Sequence, residues 1–559
     1  MDAQQFLAEF GHIANAPGGL QQLREMVYQL AITGTLTSQL DTDGDAHELL
    51  DDISRLRDQL IREKAYKRRP KLEAEALDIP SAIELPVSWC WTRLLDIGEI
   101  GPRNDAPDEA AASFIPMSGF SEFHMRALAP QAEKWAHIKK GFTHFRNGDV
   151  VVAKITPCFE NGKAAVIDGL AHSIGAGTTE LHVFRPIHPG ILPGYIYLFL
   201  RSPYFAIEGE QKMTGTAGQK RLSTEYFSTR ALPLPPSTEQ SRIVAKVDEL
   251  MALCDKLEAQ QQARRKLQNN LRQSTLQAVA SATSPHELQT TWARLADNFG
   301  RLFHAPEDVR MLRDVIFDLA LRGALLPDVT HEDSADSIAD GATPLPDGWD
   351  WKTLAELSEY ITSGSRGWQS YVSSIGYSFI RSQDIKHDAL IFENPAFVSL
   401  PAKAEGKRTL VRQGDLLLTI TGGNVGKCAT VPALNQDAYV SQHVALIRLR
   451  EPWLAEFIHI WMINAFGGQH FLARYIYGDK PGLNLAQVGS IPIPVPTLSA
   501  CVAVLERLRT YQAMCEKLER QLKVKQEMAA ALVLAAVSSL TGIAIEQENV
   551  TNPSEAETV

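Results

Sequence analysis

The feature of this chain that most constrains its fold is a long internal repeat. Residues 10–36 return 289 positions later as residues 299–325, and ten of the 27 aligned positions are identical. A tryptophan motif and a proline motif are also each present twice, at 85–91 and 345–351 and at 232–235 and 493–496 respectively. Solenoid repeats span only about 20–50 residues. We therefore expect a duplicated domain with its spacer, arranged about an approximate two-fold axis with two similar working ends.

The composition limits the classes of protein to which the chain can belong. At 559 residues it is too long for a single core, so several domains are expected. A content of 45% hydrophobic and 22% charged residues is typical of a soluble globular protein. No apolar run is long enough to cross a bilayer, and residues 1–11 lack the basic start of a secretory signal. The six cysteines have no C-x-x-C spacing, which predicts neither a disulfide framework nor a zinc site and favours a reducing cytoplasm.

The net charge bears on possible partners. A formal charge of −11 argues weakly against nucleic-acid binding, because such proteins are usually basic. It does not decide the question, since local patches of charge do the binding. An acidic segment at 542–559, which we expect to be a disordered tail, also makes the net charge of the chain more negative.

Two long helices are predicted, one after each proline motif. Apolar residues recur at alternating steps of four and three from Ile243 to Leu257, and this seam turns polar before it resumes at Leu271. In the second copy it runs in the same phase, 261 residues later, from Val504 to Leu532. Roughly 40 residues with a rise of about 1.5 Å each form a rod on the order of 60 Å long. Since such a rod cannot bury its apolar stripe alone, we expect the two helices to pack as an antiparallel coiled coil.

The starts of the two helices are predicted differently. Residues 237–240 have the spacing of a capping box, in which the serine and the glutamine satisfy free backbone amides reciprocally. The second copy, at 497–500, has lost this box. The sequence therefore leaves open where the second helix begins.

The repeated motifs define the expected domain organisation of an α+β protein. Two mixed α/β modules with many short strands, for example at 149–153 and 415–420, lie between the tryptophan and proline motifs and diverge strongly from each other. The predicted segments are a helical region with linker (1–84), a first module (85–236), a central region with a long helix and the second helical repeat (237–344), a second module (345–496), a C-terminal long helix (497–541) and the acidic tail (542–559). A shared frame with different surfaces is expected if each module recognises something different.

No catalytic motif is complete. The run Gly422–Lys427 suggests a phosphate loop, but Thr421 and Cys428 replace the glycine and the Ser or Thr that this motif requires. Residues 156–159 are only a distant match to the loop of amino-group methyltransferases. No Ser-His-Asp order, H-E-x-x-H motif or metal-spaced carboxylate cluster occurs. The chain is therefore predicted to be non-catalytic and to hold no metal.

Polar, glycine-containing loops at matched positions are the candidate binding sites. They lie at 154–163 and 214–221 in the first module and at 421–427 and 477–484 in the second. Their Lys, Arg, Asn, Gln, Ser and Thr residues are the types that contact phosphates and base edges. For any single residue a solvated turn is an equally good interpretation, but the paired occurrence favours the loops as a group. The candidate DNA contacts are Lys154, Thr156, Asn161, Lys163, Gln219, Lys220 and Arg221 in the first module and Arg381, Ser382, Thr421, Asn424, Lys427, Lys480 and Asn484 in the second.

The order of motifs resembles that of the specificity subunits of type I restriction–modification enzymes. The shared pattern is L-R-x-x-(V/I)-x-x-L-A-x-x-G-x-L, then L-P-x-x-W-x-W, a variable module, a P-x-P motif and a long helix, all repeated over about residues 5–541. The resemblance implies two target recognition domains, each contacting one half of a split, asymmetric double-stranded DNA site. It also implies that the paired helices set the gap between the half-sites.

The resemblance also implies partners and cofactors. Two modification subunits, which bind S-adenosylmethionine and methylate adenine N6, would dock on the repeats. Restriction subunits that use ATP and Mg would complete a nuclease that serves in phage defence. The chain itself would be a cytoplasmic, non-catalytic recognition subunit that binds no cofactor. Two alternatives stay open from the residues alone: an enzyme, either methyltransferase or NTPase, and a protein–protein adaptor scaffold with two unlike heads.

Overall fold

The computed structural model describes residues 13–66, 70–73, 76–81, 83–126, 128–216, 218–282, 284–326, 345–364, 367–386, 388–401, 408–476 and 482–541. The chain divides into two compact units, Met1–Ala263 with Gln526–Val559 and Arg264–Lys525. The acidic tail predicted at 542–559 lies outside the described residues.

The first unit is a mixed α/β structure. Its helices are α1 (Gly19–Ile32), α2 (Ala46–Arg62), α3 (Pro70–Glu73), α4 (Leu94–Ile97), α5 (Trp135–Ile138), α6 (Pro193–Arg201), α7 (Pro203–Gln211), α8 (Thr224–Thr229) and the first part of α9 (Ser237–Ala280). Its strands are β1 (Cys90–Arg93), β2 (Gly98–Ile100), β3 (Ala111–Ile115), β4 (Gln131–Lys134), β5 (Thr143–Arg146), β6 (Val150–Ala153), β7 (Ala164–Val166), β8 (Ile174–Gly177), β9 (Leu181–Pro186) and β10 (Ala231–Leu234).

The second unit repeats this composition. Its helices are α10 (Pro285–Asp297), α11 (Phe299–Leu302), α12 (Val309–Leu321), α13 (Leu354–Leu357), α14 (Ala455–Ile463), α15 (Gly468–Ala473), α16 (Leu485–Gly489) and most of α17 (Leu498–Thr541). Its strands are β11 (Asp350–Thr353), β12 (Ser358–Ser363), β13 (Val372–Ser373), β14 (Tyr377–Ile380), β15 (Phe397–Val398), β16 (Leu416–Thr419), β17 (Cys428–Thr430), β18 (Ala438–Val440), β19 (Val444–Leu449) and β20 (Pro492–Val495).

The two modules share the topology of one four-stranded sheet and a parallel strand pair in the other, whose full strand orders differ, β4-β3-β8-β5 against β13-β15-β14-β18. One four-stranded sheet has the order β2-β9-β6-β7 in the first module and β12-β19-β16-β17 in the second. In the other sheet, β3 pairs in parallel with β8 in the first module and β14 in parallel with β18 in the second. The tryptophan and proline motifs form a two-stranded ribbon that closes each module, with Trp91 opposite Pro233 and Trp351 opposite Pro494. The predicted duplication of a mixed α/β domain is confirmed, while the two-fold axis stays a prediction.

The central strand of each module is buried on both faces. In β6, Val150 and Val152 pack into the core formed with the helices, whereas Val151 and Ala153 pack into a second core with side chains of the other sheet. This alternation follows from the two-residue period of a strand. In β16, Leu416 and Leu418 face one core and Leu417 the other in the same way. The apolar runs from which both strands were predicted are therefore explained by burial on two sides.

A buried ion pair is also repeated in the two modules. Asp149, just before β6, accepts two hydrogen bonds of 2.8 Å from the guanidinium of Arg185 on β9. Asp415, just before β16, accepts bonds of 2.9 and 2.6 Å from Arg448 on β19. Both pairs are bidentate, the geometry that makes Arg–carboxylate contacts specific as well as strong. Each pair connects two strands that are neighbours in one sheet, β6 with β9 and β16 with β19.

The long helices α9 and α17 contain 44 residues each, which corresponds to about 66 Å. In the first unit, Val247 and Leu250 of α9 share a core with Val533 of α17. In the second unit, Leu276 of α9 shares a core with Leu522 of α17. The early part of one helix is thus associated with the late part of the other, as expected for an antiparallel pair. A regular coiled coil along the whole length stays a prediction.

The predicted heptad seam is wrong at its far end in both helices. Leu271 is 50% exposed and Leu532 is 69% exposed, whereas Val533 and Val537 are buried. Each exposed leucine lies four heptads after the first seam residue. A straight α-helix drifts by about 20° per heptad relative to a strict 3.5-residue period. Four heptads therefore rotate the buried face by about 80°, close to one residue position, and the core moves to the following residue.

The start of α9 differs from its prediction, and the structure locates the start of α17, which the sequence left open. Gln240 does not complete a capping box with Ser237. Its side-chain amide donates to the carbonyls of Gly190 and Pro235 and accepts from the amide of Leu192, because that loop packs against the helix start. In the second copy, which lacks the box, Thr497 caps α17 by accepting from the backbone amide of Ala500 at 3.3 Å.

Candidate nucleic-acid interface

In the first module, the two predicted loops lie side by side. The amide of Thr156 donates to the carbonyl of Lys220 at 3.1 Å, and the Thr156 hydroxyl accepts from the amide of Lys220 at 3.1 Å. The amide of Leu222 donates to the carbonyl of Lys154 at 2.8 Å. These bonds extend the end of β6 across to the second loop. The structure therefore gathers Lys154, Thr156, Lys220 and Arg221 at one edge of the module.

Two of these side chains already have partners within the protein. The guanidinium of Arg221 donates to both carboxylate oxygens of Glu180 at 2.9 Å. This contact holds the pKa of the Glu180 carboxyl below its ordinary value. Because Arg221 is 44% exposed, the pair is well solvated and costs little to exchange for a phosphate contact. The Thr156 hydroxyl serves the loop–loop contact, so its prediction as a DNA contact competes with a structural role.

The remaining first-module candidates lie on exposed parts of the same loops. Lys163 is half-buried and its ammonium lies 3.4 Å from the carbonyl of Met117, in the turn that follows β3. Asn161 is exposed at the tip of its loop, and Gln219 is exposed beside Lys220. The first loop is therefore in contact with two other segments of the module, the turn after β3 and the loop before α8.

The second module brings the equivalent segments together. Thr421 pairs as an isolated bridge with Gly482, and the amide of Leu483 donates to the carbonyl of Ile420 at 2.8 Å. The side-chain amide of Asn424 donates to the carbonyl of Ser382 at 3.1 Å, in the turn after β14. This is the same type of contact that Lys163 makes in the first module. Lys427 follows on the same loop and is half-buried.

Several predicted contacts in the second module have structural partners. Arg381 donates to the carboxylate of Asp384 through two nitrogens, at 3.1 and 3.0 Å, and so stabilises the turn on which it lies. The Asn484 side chain accepts from the amide of Gln487 at 2.8 Å and caps α16. The Thr421 hydroxyl is hydrogen-bonded to His443. Lys480 lies outside the described residues.

Two side chains near these loops were missed by the sequence analysis. Arg201 at the end of α6 donates to the carbonyl of Gly162, and Gln469 on α15 donates to the carbonyl of Gly426 at 2.8 Å. The donors lie 39 and 43 residues after their acceptors. No local pattern marks contacts at that separation.

Both modules therefore have a three-segment surface, which we call the loop junction. In the first module it comprises residues 117–119, 154–163, 214–216 and 218–221, and in the second residues 382–384, 421–427 and 482–484. Its exposed or half-buried side chains include ammonium, guanidinium, amide and hydroxyl groups, which can donate to phosphates and base edges. They also include the exposed carboxylate of Glu160, which cannot. Within the described ranges, no cluster of three or more His, Cys, Asp or Glu side chains is arranged to hold a metal ion, and no helix combines the length and apolar character needed to cross a membrane.

Comparison with known proteins connects this architecture to a family. The model of the type I restriction modification DNA specificity domain matches residues 86–264. The type I restriction enzyme EcoAI specificity subunit of Escherichia coli is 30% identical, over 93% of this chain and 94% of that protein. The EcoEI specificity subunit of Escherichia coli is 30% identical, over 91% of this chain and 92% of that protein. The solved HsdS subunit from Thermoanaerobacter tengcongensis is 20% identical with a TM-score of 0.39, over 82% of this chain and 98% of that one.

The chain belongs to the family of type I restriction–modification specificity subunits. It is thus a DNA-recognition subunit and not itself the enzyme. The resemblance drawn from the repeated motifs is confirmed, and family membership favours it over both the enzyme and the adaptor alternatives.

Proposed function

We propose that each module recognises one half of a bipartite, asymmetric DNA site through its loop junction. The observation that carries this proposal is the recurrence of one backbone arrangement with different side chains. In each module the loop after the central strand contacts the turn that follows the parallel strand, through Lys163 in the first module and through Asn424, three residues before the matching Lys427, in the second. Lysine and asparagine favour different base edges, guanine for the first and adenine for the second. Two unlike half-sites need such a common frame with unlike donors.

The proposal includes the partners and cofactors of the complex. Two modification subunits would bind S-adenosylmethionine and methylate adenine N6, and restriction subunits would use ATP and Mg. This chain would bind no cofactor of its own. The partner subunits would also supply much of the contact with phosphates, which accounts for a recognition subunit whose net charge is −11. The proposal places the chain in the cytoplasm, the compartment of bacterial DNA.

The long helices would set the distance between the half-sites. A helix of 44 residues spans about 66 Å, which is about two helical turns of duplex at roughly 34–36 Å each. Half-sites that face the same side of DNA are separated by whole turns, so a rigid spacer of this length suits a fixed gap.

The proposal is tested by two lysine substitutions in the chain assembled with its modification subunits. Lys163→Ala and Lys427→Ala should each weaken binding by about 1–3 kcal/mol if the lysine contacts a base edge, and each should relax base preference in one half-site only. Methylation of a DNA library in which every position of the site is varied measures both halves in one experiment. Lys352→Ala, an exposed lysine on β11 outside the loop junction, is the matched control. Unchanged affinity and unchanged preference for both lysine variants would reject these loops as the recognition surface.

A further inference from the structure

We propose that Arg201 and Gln469 are positioning residues that determine base preference by holding one glycine carbonyl in each recognition loop. The inference rests on the proposed function of the loop junction and adds two side chains outside it. Neither side chain belongs to the loops that were predicted from the sequence. Each comes from a helical segment later in its own module.

In the first module, the held carbonyl belongs to Gly162, the residue before Lys163. Gly162 has φ +67°, a left-handed conformation that glycine adopts without strain. Its carbonyl accepts a hydrogen bond from the guanidinium of Arg201, the last residue of α6. Residues 195–200 of that helix are all buried, so the donor projects from a rigid support. The amide of Gly162 donates to the carbonyl of Phe159 at 2.7 Å. The peptide groups on both sides of the glycine are therefore fixed.

In the second module, the equivalent carbonyl belongs to Gly426, the residue before Lys427. Gly426 also has a positive φ, +88°, and its amide donates to the carbonyl of Thr419 at 2.9 Å. The carbonyl accepts from the side-chain amide of Gln469 at 2.8 Å, and the same amide donates to the carbonyl of Met462 in α14 at 2.8 Å. The donor is here a neutral amide on α15, whereas the first module uses a cation at the end of α6.

The same carbonyl is thus held by unrelated side chains in two diverged modules. A glycine has the widest choice of backbone conformations, so without such a bond its ψ angle would vary easily. The ψ of the glycine sets the orientation of the next peptide, and with it the direction in which the following lysine side chain leaves the loop. Base discrimination depends on the position of donors relative to base edges. Holding this carbonyl therefore favours one placement of Lys163 or Lys427 before DNA arrives.

Arg201 makes two further contacts that Gln469 does not match. It donates to the carbonyl of Glu122 at 2.7 Å, and its guanidinium lies 5.5 Å from the ring centroid of Tyr28 on α1. A cation at this distance from an aromatic face is attracted to it. The first recognition loop is therefore connected through one side chain to the repeated helix α1. Replacement of Arg201 should consequently disturb its half-site more than replacement of Gln469 disturbs the other.

The test uses Arg201→Ala, Arg201→Gln and Gln469→Leu in the full chain assembled with its modification subunits. Methylation of the randomised site library gives the base preference of each half, and thermal unfolding of each variant gives its stability. We expect Arg201→Ala to reduce discrimination about tenfold in the first half-site only, and Gln469→Leu to do so in the second half-site only. Arg201→Gln retains an amide donor and should recover part of the lost discrimination. A role in stability alone would lower the unfolding temperature and leave base preference unchanged.

The outcomes separate this inference from the proposed function. If Lys163→Ala and Lys427→Ala relax one half-site each while the Arg201 and Gln469 variants do not, the carbonyl contacts are structural only and the inference is overturned. If the lysine variants are also without effect, the loop junction itself is not the recognition surface. Should Arg201→Ala fail to fold, Gln469→Leu still decides the question, because it removes the donor and keeps a side chain of comparable size. Arg201→Gln, which shortens the donor, should then still relax the first half-site in part.

Discussion

An ion pair between Asp43 and Arg242 stabilises the start of the long helix α9, and the structure predicts how much stability its removal should cost. Asp43 accepts from the guanidinium of Arg242 at 2.6 Å, from the backbone amide of Leu40 at 2.8 Å and from the Thr238 hydroxyl at 3.2 Å. Its side chain is only 2% exposed. The Arg242 hydrogen bond, the largest cause, lowers the pKa of the Asp43 carboxyl to about 2. Asp43→Asn removes the charge and keeps the size of the side chain.

The sign and size of the effect follow from the pKa. The folded-state pKa of Asp43 lies below the ordinary value of 3.8, so the ionised carboxylate stabilises the fold above about pH 4. That stability is lost as the pH falls from about 4 to about 2. One pKa unit corresponds to about 1.4 kcal/mol, and the full shift to about 2–3 kcal/mol. Because the Arg242 side chain is 34% exposed, solvent screens the pair, and we expect a contribution of about 1–2 kcal/mol.

The assay is denaturant unfolding of the wild-type chain and Asp43→Asn at several pH values between 7 and 2.5, with hydrogen exchange of the backbone amides at the start of α9. Between pH 7 and pH 2.5, the free energy of unfolding of the wild type should decrease by about 1–2 kcal/mol more than that of Asp43→Asn. The start of α17 is an internal control, because Ala503 stands at the position equivalent to Arg242. Equal pH dependence of the two proteins, or equal loss of protection at both helix starts, would refute the assignment.

Three further predictions concern the modules and their spacer. Arg448→Met should destabilise the second module by about 3–5 kcal/mol in denaturant unfolding, because it leaves the Asp415 carboxylate buried without its cation. Asp415→Leu combined with Arg448→Met should recover much of that loss. A double variant as unstable as the single one would contradict this prediction. His182 is buried and its pKa is lowered to about 4, mainly by desolvation, so an NMR titration should find its ring neutral at pH 5.5. Because the unfolded chain binds the proton first, the free energy of unfolding should decrease as the pH falls from about 6.5 to about 4. A His182 ring that titrates near pH 6.5 would be inconsistent with the buried position. Deletion of one heptad from each of α9 and α17 should shorten the permitted gap between half-sites without changing the bases recognised. Methylation of DNA sites with varied gaps measures this effect. An unaffected gap would exclude the helices as the spacer.

The sequence by itself determined the duplicated architecture. The tryptophan and proline motifs occur twice with similar spacing, and the structure pairs them as β1 with β10 and β11 with β20. Apolar runs located the central strands β6 and β16, and heptad spacing located both long helices. These features depend on residues that are close in sequence, where periodicity and turn chemistry act directly. The family could be identified from the same local motifs.

Only the tertiary structure decided which contacts the side chains of the loop junction make. Arg381, Asn484 and Thr156 were predicted as DNA contacts by residue type, yet each makes hydrogen bonds within its own module. Arg201 and Gln469 could not be predicted, because their acceptors lie 39 and 43 residues away and become neighbours only when the sheets and helices pack. The one-residue shift of the helix seam accumulates over four heptads, and the exposures of the side chains show where it moves the buried face. Residue type limits the bonds that a side chain can make, and chain packing selects among them.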